Sequence, residues 1–231
     1  MILFVTGTGT GVGKTIATAA VATLAAAAGQ RVAVVKLAQT GVHPGPDSDI
    51  PDLETITRLS GVSDTHELAR FPDPLSPEAA ARVSGLPPVD FARAAALIAD
   101  LAATRDLVLV EGAGGLLVRY DSDGAIIADL ATALDAPALI VTAAGLGTLN
   151  HTALTLEAAA ARKLRIAGVV VGSWPRRPGL AERENEVDLQ IITGGPLAGR
   201  LPAESGSLSA REFRAVARAG LAPSLGGKFC V

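Results

Sequence analysis

Several things are scarce in this sequence, and each shortage excludes a class of protein. Its 231 residues hold one cysteine, Cys230, so no disulfide framework exists and a reducing, cytoplasmic setting is expected. No run approaches the ~20 apolar residues of a membrane-spanning helix. The opening Met1-Ile2-Leu3-Phe4-Val5 has no basic leader and is too short for a signal peptide's apolar region. Basic residues are not in excess: a net charge of −3 gives no footprint for nucleic acid or an anionic membrane. The histidines His43, His66 and His151 are scattered without companion cysteines, which argues against zinc. No Ser-His-Asp or Cys-His arrangement is supported either.

What is present is a small-residue apolar composition, 49% hydrophobic with only 3% aromatic. Alanine, valine, leucine and glycine suit helices lying close on a parallel sheet. At this length a single domain is expected, able to bury roughly 70–75% of the surface its unfolded chain exposes. Apolar runs read as buried strands at Ile2–Thr6, Arg31–Lys36, Leu107–Glu111, Ala138–Thr142, Ile166–Val171 and Pro196–Leu201. Helical patterns fall between them at 15–28, 52–59, 77–84, 91–103, 148–162, 181–189 and 210–218. The alternation predicts an α/β protein of three layers, a mostly parallel central sheet with helices on both faces. The stretch Gly41–Pro51 reads as a long loop, and the tail after Gly220 shows no pattern and is expected to be partly flexible.

The chemistry begins directly after the first strand. Gly7-Thr-Gly-Thr-Gly-Val-Gly-Lys14-Thr15 is a glycine-rich turn opening a helix, the arrangement a nucleotide's phosphates require. Glycines let backbone N–H groups face the phosphates, and the helix N-terminus adds partial positive charge. Lys14 then reaches the β- and γ-phosphates, and the Thr15 hydroxyl completes part of a Mg²⁺ shell. The usual P-loop spacing has four residues between its two glycines; here Gly7 and Gly13 are separated by five. No Gly-x-Gly-x-x-Gly register fits, and the second strand ends in Lys36 where a dinucleotide site needs an acid.

Two further strand ends carry chemistry. Lys36, followed by Leu37-Ala-Gln-Thr40-Gly41, points into the crevice where open α/β sheets bind ligands. Glu111 closes the third strand before Gly112-Ala-Gly-Gly115, where a Mg²⁺-holding Walker B carboxylate would sit. Asp52 reads either as another metal contact or as a helix N-cap, with Asp47 and Asp49 as neighbouring candidates.

These motifs, with Gly145-Leu-Gly-Thr-Leu-Asn-His-Thr152, resemble the dethiobiotin synthetases along nearly the whole chain. The resemblance implies a homodimer that takes diaminopelargonate, CO₂ and a Mg²⁺–nucleotide and closes a ureido ring through a phosphorylated carbamate. It assigns catalysis to Lys14 and Lys36, and metal binding to Thr15, Asp52 and Glu111. Nucleotide contacts fall on Thr10, Gly11, Val12, Gly13, Lys14, Thr15 and Ile16, on Asp52, on Glu111 through Gly114 with Gly112 and Ala113, on Gly172 and Ser173, and on Pro202, Ala203 and Glu204. Substrate contacts fall on Lys36, Thr40 and Gly112 and, at a helix facing the partner subunit, on Leu146, Gly147 and Asn150.

Two departures stand out. The family usually has glutamate at position 11, and an asparagine reading adenine at position 172; here both are glycine. Weak selectivity for ATP is therefore expected, with another triphosphate such as CTP accepted. The alternative is a partition or septum-site ATPase switch, but residues 8–12 lack the extra lysine of that class. The nucleotide-binding half of a cobyrinate-type amide synthetase is disfavoured because the chain has no glutaminase domain.

Overall fold

The computed structural model describes residues 1–43 and 50–230. Seven strands form a parallel sheet in the order β4-β2-β6-β1-β7-β8-β9. They are β1 (Ile2–Gly7), β2 (Val32–Lys36), β4 (Thr65–Glu67), β6 (Leu107–Glu111), β7 (Ala138–Thr142), β8 (Ile166–Trp174) and β9 (Gly199–Pro202). A separate parallel pair joins β3 (Gln39–Thr40) to β5 (Arg70–Phe71).

The sheet is covered on both faces, which is why its strands are apolar throughout rather than alternating. Leu3, Val5, Val34, Leu109 and Val141 face one core with α1 (Lys14–Ala27), α2 (Asp52–Ser60) and α8 (Ala210–Gly220). Phe4, Val35, Val110, Ile140 and Val171 face the other. That side is closed by α3 (Pro77–Ser84), α4 (Phe91–Thr104), α5 (Ile127–Ala133), α6 (Thr148–Ala161) and α7 (Leu180–Thr193). Helix α1 packs on the sheet, on α2 and on α8 at once, and its run of buried alanines lets all three approach.

The expected α/β architecture is what the structure has. The six strands and seven helices read from the sequence are all present, with boundary shifts; the last strand begins at Gly199 rather than Pro196. Three short strands and α5 were not read. β4 is a polar edge strand, Thr65-His66-Glu67, with no buried run to announce it. Of the expected 41–51 loop, residues 44–49, including Asp47 and Asp49, lie outside the described residues. Residues 221–230, patternless in sequence, are tied back to the body: Lys228 N–H donates to Arg218 C=O at 2.7 Å and Phe229 N–H to Leu221 C=O at 2.8 Å. No helix among the described residues is long and apolar enough to cross a membrane.

Candidate active site

The loop between β1 and α1 lies at the carboxyl end of the central strand, where β6 and β7 flank it. Gly13 serves as the N-cap of α1 at φ 96°, a left-handed conformation that costs glycine little. The backbone of Gly172, at the end of β8, presses against it. A side-chain carbon on Gly172 would fall 2.2 Å from the Val12 carbonyl oxygen, and one on Gly13 would fall 2.5 Å from the Gly172 carbonyl oxygen. Neither position can carry a side chain without moving the phosphate loop.

In front of the loop opens a cavity of about 800 Å³. Thr10, Gly11, Gly13, Lys14, Thr15 and Ile16 line it from one wall. Lys36, Thr40, Asp52, Glu111, Ala113 and Gly114 line it from the floor and far side. The register of the sheet explains the centre: Lys36 and Glu111 are paired residues at the ends of adjacent strands. Lys36 Nζ donates to Glu111 Oε1 at 2.8 Å and to the Gly112 carbonyl at 3.2 Å, and it contacts Asp52 Oδ2. The Thr15 hydroxyl donates to Asp52 Oδ1 at 2.8 Å and to Glu111 Oε1 at 3.1 Å.

Asp52 is therefore no helix cap. Pro51 holds the N-cap of α2, and the Asp52 side chain turns to Thr15 and Lys36. The hydroxyl and the two carboxylates form an all-oxygen donor set of the kind that suits Mg²⁺. Among the described residues no three His, Cys, Asp or Glu side chains gather. A cation here thus needs phosphate oxygens and water as well, the usual way Mg²⁺ is held beside a nucleotide. The residues fit the ion.

The site's charges perturb one another. Burial lowers Lys14 to about 8, with the Lys36 charge adding to the fall and Glu111 and Asp52 opposing it. Burial would also lower Lys36, but the charges of Glu111 and Asp52 outweigh it and raise its pKa. Burial raises Asp52, and Lys36 more than reverses this, holding the carboxyl below its ordinary range. The cluster is thus one lysine locked in its ammonium form and a second one close to losing its proton.

Other expected residues fall elsewhere. Val12 is buried beneath the loop. Gly172, Ser173, Pro202, Ala203 and Glu204 gather beside the cavity rather than in its lining, joined by the Ala203 N–H bond to the Trp174 carbonyl at 2.7 Å and the Arg176–Glu204 ion pair at 3.4 Å. Leu146, Gly147 and Asn150 open α6 and are not brought to the cavity within one chain.

Four positioning residues escaped the sequence reading. Thr18 donates to Glu111 Oε2 at 2.6 Å, and Gln39 Oε1 accepts from the Asp52 N–H at 3.0 Å. Tyr120 Oη accepts from the Ala113 N–H at 2.6 Å, holding the loop after Glu111. Asn185 Nδ2 donates to the Ala144 and Gly145 carbonyls at 2.9 and 3.0 Å, fixing the turn into α6. Thr18 alone left a signal, one helical turn beyond Lys14 on the same face.

Comparison with known proteins gives first the class. Residues 2–210 match the family described as AAA domain. Among solved structures, the septum site-determining protein MinD of Pyrococcus horikoshii superposes with a TM-score of 0.62 at 17% identity, covering 97% of this chain and 93% of that one. A MinC–MinD complex from Aquifex aeolicus gives 0.58 at 14%, covering 100% and 98%. At these identities the likeness is one of fold: the three-layer fold of the P-loop NTPases.

The sequence relatives are more specific. The ATP-dependent dethiobiotin synthetase of Frankia casuarinae is 61% identical over 98% of this chain and 94% of its own length. That of Streptomyces coelicolor is 54% identical over 98% and 94%. The chain belongs to the dethiobiotin synthetase family.

Proposed function

We propose that this chain is a cytoplasmic, NTP-dependent dethiobiotin synthetase, a ligase that makes C–N bonds by closing the ureido ring of diaminopelargonate with CO₂. The observation that carries the reading is the convergence of Lys36, Glu111, Asp52 and Thr15 on one point before the phosphate loop.

One amine of the substrate adds to CO₂ and loses a proton to give a carbamate. A carbamate oxygen attacks the γ-phosphorus, the bond to the nucleoside diphosphate breaks, and a carbamic–phosphoric anhydride forms. The second amine then attacks the carbonyl carbon, closes the ring and expels phosphate. Phosphorylation is needed because a carbamate oxygen is otherwise a poor leaving group.

Lys36, buried and held as an ammonium, would face the carbamate and the transferring phosphoryl group; Lys14 would hold the β- and γ-phosphates from the opposite side. Thr15, Asp52 and Glu111 would hold Mg²⁺, which when bound neutralises charge on the β- and γ-phosphate oxygens. Thr40 lines the cavity beyond Lys36, where a substrate would lie. Thr10, Gly11, Val12, Gly13 and Ile16, with Gly112, Ala113 and Gly114, would surround the triphosphate.

A homodimer is supported by apolar side chains that the single chain leaves exposed on α6, α7 and the turns leading into them, among them Leu146 at 88% and Ile191 at 74%. A second chain would cover them and bring Leu146, Gly147 and Asn150 to a neighbouring site as N–H donors for the substrate carboxylate. Base recognition would fall to Gly172, Ser173, Pro202, Ala203 and Glu204. With no side chain at position 172, selectivity for ATP is weak and CTP is accepted.

The test is turnover: purified protein with diaminopelargonate, bicarbonate, Mg²⁺ and nucleotide yields dethiobiotin and phosphate. Nucleotide hydrolysis without the diamine would instead support the partition-ATPase reading, which rests on likeness of fold.

A further inference from the structure

A second cavity, of about 460 Å³, lies between the carboxyl end of α1, one face of α8 and the returning tail. Leu24, Ala27 and Ala28 form its apolar floor. They lie about 15–21 Å along α1 from Lys14, so the cavity is remote from the phosphate loop.

Among the described residues, every charged side chain that lines it is a cation. Arg211, Arg214 and Arg218 stand at helical spacings of three and four on α8, so one face presents all three. Lys228 comes from the tail, and its backbone N–H donates to the Arg218 carbonyl at 2.7 Å, which fixes the fourth cation beside the third. Among the described residues no acidic side chain lines the cavity. The adjacent Glu212 is committed to the start of its own helix, accepting from Ser209 Oγ at 2.6 Å and from its N–H at 3.0 Å.

None of the four cationic side chains makes an ion pair or hydrogen bond with a described residue. Elsewhere on this chain Arg31, Arg70, Arg105 and Arg165 each reach a carboxylate. Three arginines on one helix face repel one another, and a net-negative chain has acids enough to balance them. Among the described residues none is supplied here.

We infer that this cavity is a binding site for a small oligophosphate anion, the class that includes pyrophosphate, tripolyphosphate and the phosphate tail of a nucleotide. Guanidinium forks match phosphate oxygens in pairs. Arg211 and Arg218 are about 10 Å apart along the helix axis, so one orthophosphate cannot engage the whole row while a chain of phosphates can. The volume is that of a small-molecule site, and it opens to solvent on the side of the arginine row.

The experiment is a calorimetric titration of tripolyphosphate into the full chain, with the phosphate loop first filled by a non-hydrolysable triphosphate analogue and an equal amount of Mg²⁺. One further anion should bind per chain and weaken steeply with added salt. Arg214→Gln/Arg218→Gln should weaken it at least tenfold, with analogue binding, turnover and thermal midpoint unchanged. Lys228→Gln, which leaves α8 intact, should weaken it severalfold.

Pyrophosphate should bind more weakly than tripolyphosphate and orthophosphate more weakly still; a nucleoside triphosphate binding more tightly than tripolyphosphate would identify a nucleotide as the source. No second binding event, an event indifferent to these substitutions, or citrate binding as tightly as tripolyphosphate would overturn the proposal. Since the phosphate loop is occupied throughout, the outcome is independent of what reaction the chain performs.

Discussion

Lys36 Nζ lies 2.8 Å from Glu111 Oε1, joining paired residues at the ends of two neighbouring strands where both side chains are buried. Removing one partner leaves the other charge buried and uncompensated, which costs about 3–5 kcal/mol. Lys36→Met should therefore lower stability by about that amount in denaturant titration. It should also lower kcat by about 10²–10³-fold, the scale for losing one positioned donor to developing charge. Full turnover in a folded Lys36→Met protein would remove Lys36 from the chemistry.

Lys14 gives a pH dependence. Burial first, then the Lys36 charge, lowers its pKa to about 8, so the free protein begins to lose that ammonium just above neutrality. Nucleotide phosphates favour the charged form, so binding above pH 8 must take up a proton. Affinity measured without the diamine should be flat well below pH 8 and fall by up to tenfold per pH unit above it. For stability the sign is opposite. An ammonium with a lowered folded-state pKa costs stability below about 8, and that cost fades as pH rises towards the unfolded value of 10.5, because the unfolded chain then holds more protons. Affinity unchanged up to pH 10 would contradict the assignment.

The proposed weak base selectivity rests on Gly172 facing the base. Comparison of kcat/KM across the four nucleoside triphosphates should show less than tenfold preference for ATP over CTP, whereas a site with a hydrogen-bonding side chain discriminates by orders of magnitude. The close approach of Gly172 and Val12 adds a second outcome. Gly172→Asn should not install ATP selectivity on the present backbone, because its first side-chain carbon already collides with the phosphate loop. Nucleotide affinity should fall for all four bases together.

Tyr120 tests the support behind the site. Its buried hydroxyl, pushed up to about 12 by burial, accepts the Ala113 N–H. Tyr120→Phe leaves that donor unmatched at a cost of about 1–3 kcal/mol, readable as a lower midpoint in denaturant. With the loop after Glu111 loosened, kcat should fall more than nucleotide affinity. An unchanged midpoint and kcat would leave Tyr120 as packing alone.

The parts of this site legible in sequence are those encoded locally. A buried strand, a glycine turn and Gly13-Lys14-Thr15 announce a phosphate loop because strand, loop and helix are contiguous. Lys36 and Glu111 were legible because each ends an apolar strand, and parallel pairing brings such ends together. Asp52 was ambiguous because its role depends on where α2 begins, and the structure settles that with Pro51 as the cap. Thr18, Gln39, Tyr120 and Asn185 act through contacts set by tertiary packing, across as many as 93 positions in the case of Thr18 and Glu111. Gly172 was visible as a missing side chain, but its service to the phosphate loop is a matter of backbone contact that no spacing reveals.

The central claim is that the γ-phosphate of a nucleotide is spent on a carbamate of the diamine. The most direct measurement supplies ¹⁸O-labelled bicarbonate with diaminopelargonate, Mg²⁺ and nucleotide and reads the label in the released phosphate. One bicarbonate-derived oxygen should appear in each phosphate, alongside one dethiobiotin. Phosphate free of that label, or released equally fast without the diamine, would contradict the account.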